Sequence, residues 1–426
     1  MTQKAHCAGK LKTMNDFTVL FLIALAISFA VEYWLSRRHV QHVLLNRNKV
    51  PAAFRETITS EAHQKAADYT VDKARLADFD RILGAGVLIV FTLGGGIAAI
   101  QKLWEGFALG PIATGVGMIL TTLLVAQLIE LPISLYQTFV IEERYGFNKT
   151  NAPQFLKDLG LQTLLSFLLG APLIALILWV MESTGTYWWL LAWSILISFS
   201  ILMSWAYPTL IAPLFNKFTP LPDPELKSRI ESLLDRCGFQ SKGIFVMDGS
   251  RRSGHGNAYF TGVGASKRIV FFDTLVDSLG HDELEAVLAH ELGHFKCRHV
   301  IKMLITSSAL SLVGFGILGW VSHEAWFFEG LGVPAPGTAS ALLLFMLTAP
   351  VFTVFLKPMM AAFQRRFEFE ADDFASSHSE ARHLVSALVK LYRENASTLT
   401  PDPLYAAFHY SHPPAAIRID HLNRAR

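Results

Sequence analysis

His290-Glu291-Leu292-Gly293-His294 is the stretch from which the rest of the chain is read. Histidines at i and i+4 lie on one face of a helix, so both rings can reach a single metal ion, and the glutamate between them points at a metal-bound water. A catalytic zinc takes three protein ligands and leaves the fourth position to water. The motif therefore asks for a third ligand elsewhere, and the surrounding sequence must supply it.

The 426 residues are 52% apolar and only 17% charged, where soluble domains carry about 25% charge. This composition points to a polytopic membrane protein, and the fold class expected for the chain is all-α, with a small α+β metallopeptidase-like subdomain around the motif. A net charge of +2, with no basic run interleaved with aromatics, argues against a nucleic-acid partner. Cys7, Cys237 and Cys297 form neither a disulfide framework nor a CxxC knuckle. Cys297, close after His294, reads as a small apolar packing residue.

Outward from the motif, apolar runs long enough to cross a bilayer fall at 303–321 and 338–356 on its C-terminal side. On its N-terminal side they fall at 17–35, 82–100, 112–139, 159–181 and 187–206. The expected organisation is a polar extension 1–16, five spans in 17–215 with a polar loop 37–81, and a soluble segment 216–300. Spans six and seven follow in 301–356, and a C-terminal region in 357–426.

Within the soluble segment, Asp223-Pro224 reads as N-cap and first helical position, Leu226, Ile230, Leu233 and Leu234 as an apolar stripe, and Gly238 as the C-terminal stop. Residues 244–247, 257–261 and 268–272 read as strands, the last two joined through Gly262-Val263-Gly264. Asp282 is expected to cap the motif helix, and no proline interrupts the sequence from there to the sixth span. A continuous helix from His294 to Met303 would cover about 14 Å, placing the metal just outside the bilayer.

About sixteen residues join the sixth and seventh spans, so the two run antiparallel and the chain leaves the seventh on the side of the histidine pair. There it meets Arg365-Arg366-Phe367-Glu368-Phe369-Glu370-Ala371-Asp372-Asp373, which reads as helix. Glu368 is the expected third ligand. Asp372, one turn on, is placed to hold a ligand histidine from behind. Lys and Arg concentrate after spans one, three, five and seven, where Arg37, Arg38, Arg144, Lys149, Lys217, Lys357, Arg365 and Arg366 stand against Lys102 alone in the other loops. The positive-inside rule then puts the motif on the cytoplasmic face.

Together with the motif, Glu368 to Asp372, Asn257-Ala258-Tyr259-Phe260 and Ser411-His412-Pro413-Pro414 resemble the type I CAAX prenyl protease family, integral-membrane zinc metallopeptidases. The likeness extends to Phe139-Val140-Ile141-Glu142-Glu143 and Ile211-Ala212-Pro213-Leu214-Phe215 and covers nearly everything after the first dozen residues. It implies seven spans around an intramembrane chamber and one Zn2+ per chain held by His290, His294 and Glu368, with Glu291 as the base. It further implies a substrate backbone held along Asn257, Ala258 and Tyr259, and His412 and Arg418 standing near the metal, with Arg418 counted among the substrate-binding residues. His412 and Tyr259 are candidates for stabilising the oxyanion, and an edge strand at 257–259 could bind peptide by strand addition.

The expected substrate is a polypeptide cut near its C-terminus, C-terminally lipidated in eukaryotic relatives. The expected location is the inner or plasma membrane in a bacterium and the endoplasmic reticulum membrane in a eukaryote, with the lipid bilayer as partner. A membrane quality-control protease of the HtpX type is the alternative. A non-catalytic zinc-binding transporter or receptor is a second, disfavoured by Glu291, since a structural site uses four ligands and no base.

His281, His299, His378 and His409 read as surface or structural histidines. Glu32 and Glu130 read as lining a wet interior, although snorkelling to the headgroups suits Glu32 better. Gly94-Gly95-Gly96 reads as a close helix-packing surface.

Overall fold

The computed structural model describes residues 15–261 and 268–424. Residues 1–14 of the expected extension 1–16, and the expected turn Gly262-Val263-Gly264, lie outside the described residues. Helix α1 (Asp16–Asn46) runs well beyond its apolar run, and α2 (Ser60–Phe91) begins inside the expected polar loop, leaving only 47–59 outside α-helix. The two extensions support each other. Val40, Val43, Ala67 and Val71 form a shared apolar contact, and Arg47 Nε lies 2.6 Å from Asp68.

The second apolar run is not one straight span. Helix α2 gives way to α3 (Gly96–Glu105) with a bend of 51°. Gly95 adopts φ +78°, and a Cβ at Gly94 would lie 2.7 Å from the Val90 carbonyl oxygen. The glycine triplet makes a turn that side chains would obstruct, not the packing surface expected. Six helices among the described residues are long and apolar enough to cross a membrane, or seven if the bent pair counts as one.

Helix α4 (Pro111–Tyr136) continues through a π-helical turn to Glu142, and α5 (Ala152–Ser183), α6 (Trp188–Ala206) and the short α7 (Ala212–Phe215) follow. Ile119 and Leu178 are fully buried in the bundle, while Leu164, Leu168 and Trp205 point outward. Helices apolar on both faces suit lipid, not water.

In the soluble segment α8 (Pro224–Arg236) is capped as expected, the Asp223 carboxylate accepting from the Glu225 and Leu226 amides. Its stripe packs on a four-stranded sheet of β1 (Phe218–Pro220), β2 (Ile244–Met247), β3 (Ala258–Thr261) and β4 (Arg268–Phe272). The strand order is β1-β2-β4-β3, with β2 and β4 parallel and the other pairs antiparallel. Strand β1 was not foreseen, and β3 is an edge. After α9 (Asp273–Ser278), helix α10 (His281–Lys296) carries the motif.

Asp282 does not cap α10. The Gly280 amide donates to the Glu283 carboxylate at 2.8 Å, whereas Asp282 accepts from Arg229 at 2.5 Å. Nor does α10 run on into the membrane. It ends before Arg298, which takes the left-handed conformation at φ +56°, and α11 (His299–Val321) starts anew. The turn brings His299 back against His294.

Helix α12 (Ala325–Gly330) lies in the link to α13 (Thr338–Thr353). A single 3-10 turn then joins α13 to α14 (Lys357–His378). Helix α14 returns alongside α10. A Cβ at Gly293 would lie 2.9 Å from the Ala371 Cα, so the glycine inside the motif sets how closely the two helices approach. Helices α15 (Ala381–Glu394), α16 (Pro403–His409) and α17 (Ala415–Arg424) complete the chain.

Candidate metal centre

Helices α10 and α14 bring His290, His294 and Glu368 together, their ligand atoms all within 4.8 Å of one another. The two Nε2 atoms are 3.2 Å apart, and Glu368 oxygens lie 3.5 Å from His290 Nε2 and 3.3 Å from His294 Nε2. Donors at zinc-ligand distances on the corners of a tetrahedron stand about 3.3 Å apart, so the set fits zinc. Glu368 Oε2 is buried and makes no hydrogen bond, which leaves it an open valence for a cation.

Each ring turns its other nitrogen to an anchor. His290 Nδ1 lies 2.9 Å from Asp372 Oδ1, and His294 Nδ1 lies 3.0 Å from His299 Nδ1. Arg418, from α17, donates to Asp372 at 2.5 and 2.9 Å and places Nη1 3.5 Å from Glu368. At 6% exposure it is buried behind the ligands, a position that suits holding carboxylates and not the substrate contact expected of it. Burial and the Arg418 charge both disfavour a protonated His290, but the Asp372 and Glu368 carboxylates outweigh them and raise its pKa. Positive charge is favoured at this point.

His299 is the residue that sequence reading underestimated. It is buried, stacks on Phe367 at 4.2 Å and meets Glu370 through Nε2 at 3.0 Å. A histidine five residues after another carries no helical-face signal across a break in the helix, so only the left-handed turn at Arg298 reveals the pairing. Cys297, His299 and Glu370 also approach one another closely enough to hold an ion. Lys302 Nζ, 3.2 Å from Glu370, already supplies a cation there. His281, His378 and His409 are held by Asp223, the Phe374 carbonyl and Glu32, respectively.

Glu291, Tyr259 and His412 line one cavity of about 550 Å³ with His294 and Glu368. His412 Nε2 is 3.3 Å from Glu368 Oε1, and its side chain is exposed to the cavity. Strand β3 therefore passes the metal centre along its free edge, with Ala258 packed inward and Tyr259 on the cavity. Asn257 precedes the strand proper, its carbonyl accepting from the Phe272 amide. Glu32 does not snorkel. It is buried, Lys357 Nζ lies 2.6 Å away, and it lines a cavity together with Glu130.

A two-histidine, one-carboxylate centre with a glutamate beside it, mounted on a polytopic helical bundle, defines a membrane metallopeptidase. Comparison with known proteins narrows this class. Residues 39–217 match the CAAX prenyl protease N-terminal family with its five membrane helices, and residues 220–426 match peptidase family M48. The CAAX prenyl protease 1 homolog of Oryza sativa is 36% identical, covering 95% of this chain and 96% of the relative. CAAX prenyl protease 1 of Saccharomyces cerevisiae is 32% identical over 93% and 92%. The crystal structure of S. mikatae Ste24p superposes with a TM-score of 0.88 at 32% identity, over 95% of this chain and 98% of that one. The chain belongs to the CAAX prenyl protease 1 branch of the M48 metallopeptidases.

Proposed function

We propose that the protein is a zinc endopeptidase that cuts polypeptides near their C-terminus, with prenylated CAAX proteins as the favoured substrate class. The observation that carries this reading is the tetrahedral spacing of His290, His294 and Glu368, with Glu291 and an edge strand on the same cavity. When bound, zinc would lower the pKa of a water and polarise the scissile carbonyl.

Strand β3 would align the substrate backbone by strand addition, with Asn257 and Ala258 fixing its register. Glu291 would accept the proton of the attacking water and return it to the leaving amine. Tyr259 and His412 would donate to the oxyanion as it develops. Asp372 and Arg418 would keep His290 and Glu368 in place. The clustering of Lys and Arg at the ends of alternate spans supports a cytoplasmic orientation of the centre.

The test is a purified, zinc-loaded preparation offered a farnesylated CAAX peptide and the same peptide without lipid. Faster cutting of the farnesylated peptide is expected, and equal rates would sink lipid recognition. The chain's similarity to prenyl protease 1 relatives over nearly its whole length favours this reading over HtpX-type quality control.

A further inference from the structure

Strand β3 is entered through Gly254-His255-Gly256-Asn257, beside a second cavity, of about 810 Å³, that Tyr69, His255, Asn257 and Asn395 help to line. Tyr259, which lines the metal cavity, stands two residues past Asn257, about 7 Å along an extended chain. The strand is four residues long and paired on one side only, to β4. A slip of one residue would turn Tyr259 from the metal cavity to the opposite face of the sheet. Glycines on both sides of His255 leave the entry loop free to make such a slip, so its register has to be held from elsewhere.

His255 is held from four directions. Phe147 stacks on its ring at 4.2 Å. Its Nδ1 lies 3.2 Å from Asn395 Oδ1, at the end of α15. Its Nε2 lies 3.4 Å from Glu142 Oε2, in the π-helical turn that closes α4, and 3.4 Å from the Tyr69 hydroxyl of α2.

These partners decide where the ring's protons point. The Gly256 amide donates to the same Asn395 atom at 3.1 Å, so that atom is the side-chain oxygen and His255 Nδ1 donates to it. Tyr69 donates to Glu142 Oε1 at 2.7 Å and accepts from Lys73 at 3.3 Å, which leaves its oxygen and Glu142 Oε2 both as acceptors towards Nε2. Glu142 Oε2 is buried and otherwise unbonded among the described residues, and a proton on Nε2 supplies what it lacks. Asn395 passes the restraint on to the Gly256 peptide group, one residue before the Asn257 carbonyl takes up the ladder with the Phe272 amide.

Resting on the peptidase reading above, we propose that His255 is a positioning residue for the reaction: it clamps the entrance of β3 between the membrane helices and α15, and so holds the edge to which the peptide adds in register with the metal. It acts through Asn395, Gly256 and the strand, at a distance from the ligand set.

The test uses the zinc-loaded full-length protein and a farnesylated CAAX peptide. His255→Ala should raise KM about ten-fold, the scale of one lost hydrogen bond, with a smaller change in kcat and zinc affinity as in the wild type. Amide exchange over 256–261 should quicken. His255→Asn, whose amide nitrogen can stand where Nδ1 stands and donate to Asn395, should recover most of the loss in KM and slow the exchange again. Asn395→Ala removes the acceptor and leaves the ring in place, so it should reproduce the rise in KM even where His255→Ala does not fold. Wild-type KM in either alanine variant, no recovery in His255→Asn, or a fall in zinc affinity overturns the proposal and leaves the peptidase reading intact. No cutting by the zinc-loaded wild type takes away that reading and this inference with it.

Discussion

The two cavities along strand β3 differ in how their polar groups are matched. At the metal centre nearly every charge has a partner: Asp372 holds His290 and Arg418, His299 holds His294, and Glu370 holds His299. At the Asn257 cavity the ties are fewer: His39 Nδ1 accepts from the Asp402 amide, and the Tyr69 hydroxyl donates to Glu142 while accepting from Lys73. The contrast separates a centre whose charged residues are held from several sides from a cavity whose lining is tied at fewer points. Disturbing the first should move metal affinity and turnover, and disturbing the second should leave metal affinity as it is.

The largest effect is expected at Glu291, which lines the metal cavity without belonging to the ligand set. Glu291→Gln should lower kcat by about 10²–10⁴-fold, the usual contribution of a general base. Metal analysis should still find one zinc per chain. Hydrolysis near the wild-type rate would take the proton-transfer role away from this residue.

Arg418→Met comes next. It leaves Asp372 and Glu368 buried without their guanidinium, a change that costs about 3–5 kcal/mol when one member of a buried pair is removed. Thermal unfolding should therefore shift to much lower temperature in chelator. It should shift less with zinc present, because the ion restores positive charge between the carboxylates. An equal loss with and without zinc would detach Arg418 from the metal centre.

Glu370→Gln, which reaches His294 only through His299, should weaken zinc binding by less than the roughly 10–100-fold typical of groups that orient a ligand histidine directly. Competition with a chromophoric chelator measures this directly. Glu370 is partly exposed, so the unfolding temperature should change little. Unchanged zinc affinity would take Glu370 out of the metal centre.

Much of this was legible in the sequence because it depends on short-range patterns. The i, i+4 histidine pair, the Asp223-Pro224 cap and the apolar runs are local, and the structure shows each where the periodicity put it except the run at 82–100, which is broken at Gly95. Glu368 could be found because a short link between two spans leaves few topologies open. The missed features depend on the backbone choosing a turn where the residue type gives no warning, or where a glycine had two meanings. Gly95 reads equally as a packing glycine and as a left-handed turn, and Asp282 is a better nominal cap than Gly280. His299 looked peripheral while α10 was taken to be continuous, since in an unbroken helix it would stand well past the metal face.

That last turn carries the smallest predicted effect. Arg298 is exposed and adopts φ +56°, ψ +34°, where a residue with a Cβ is disfavoured by about 1 kcal/mol. Glycine removes that strain but gives the unfolded chain more freedom, worth about 0.5–1 kcal/mol in the opposite direction. With no packing to lose, Arg298→Gly should leave the unfolding temperature unchanged or raise it slightly, and zinc affinity should stay as in the wild type. Arg298→Val has the strain of a branched Cβ in the same conformation and no compensating gain, so it should lower both the unfolding temperature and, by displacing His299 from His294, the affinity for zinc. If the valine variant unfolds earlier yet binds zinc as the wild type does, the turn shapes the fold alone and His299 is no anchor for the metal centre.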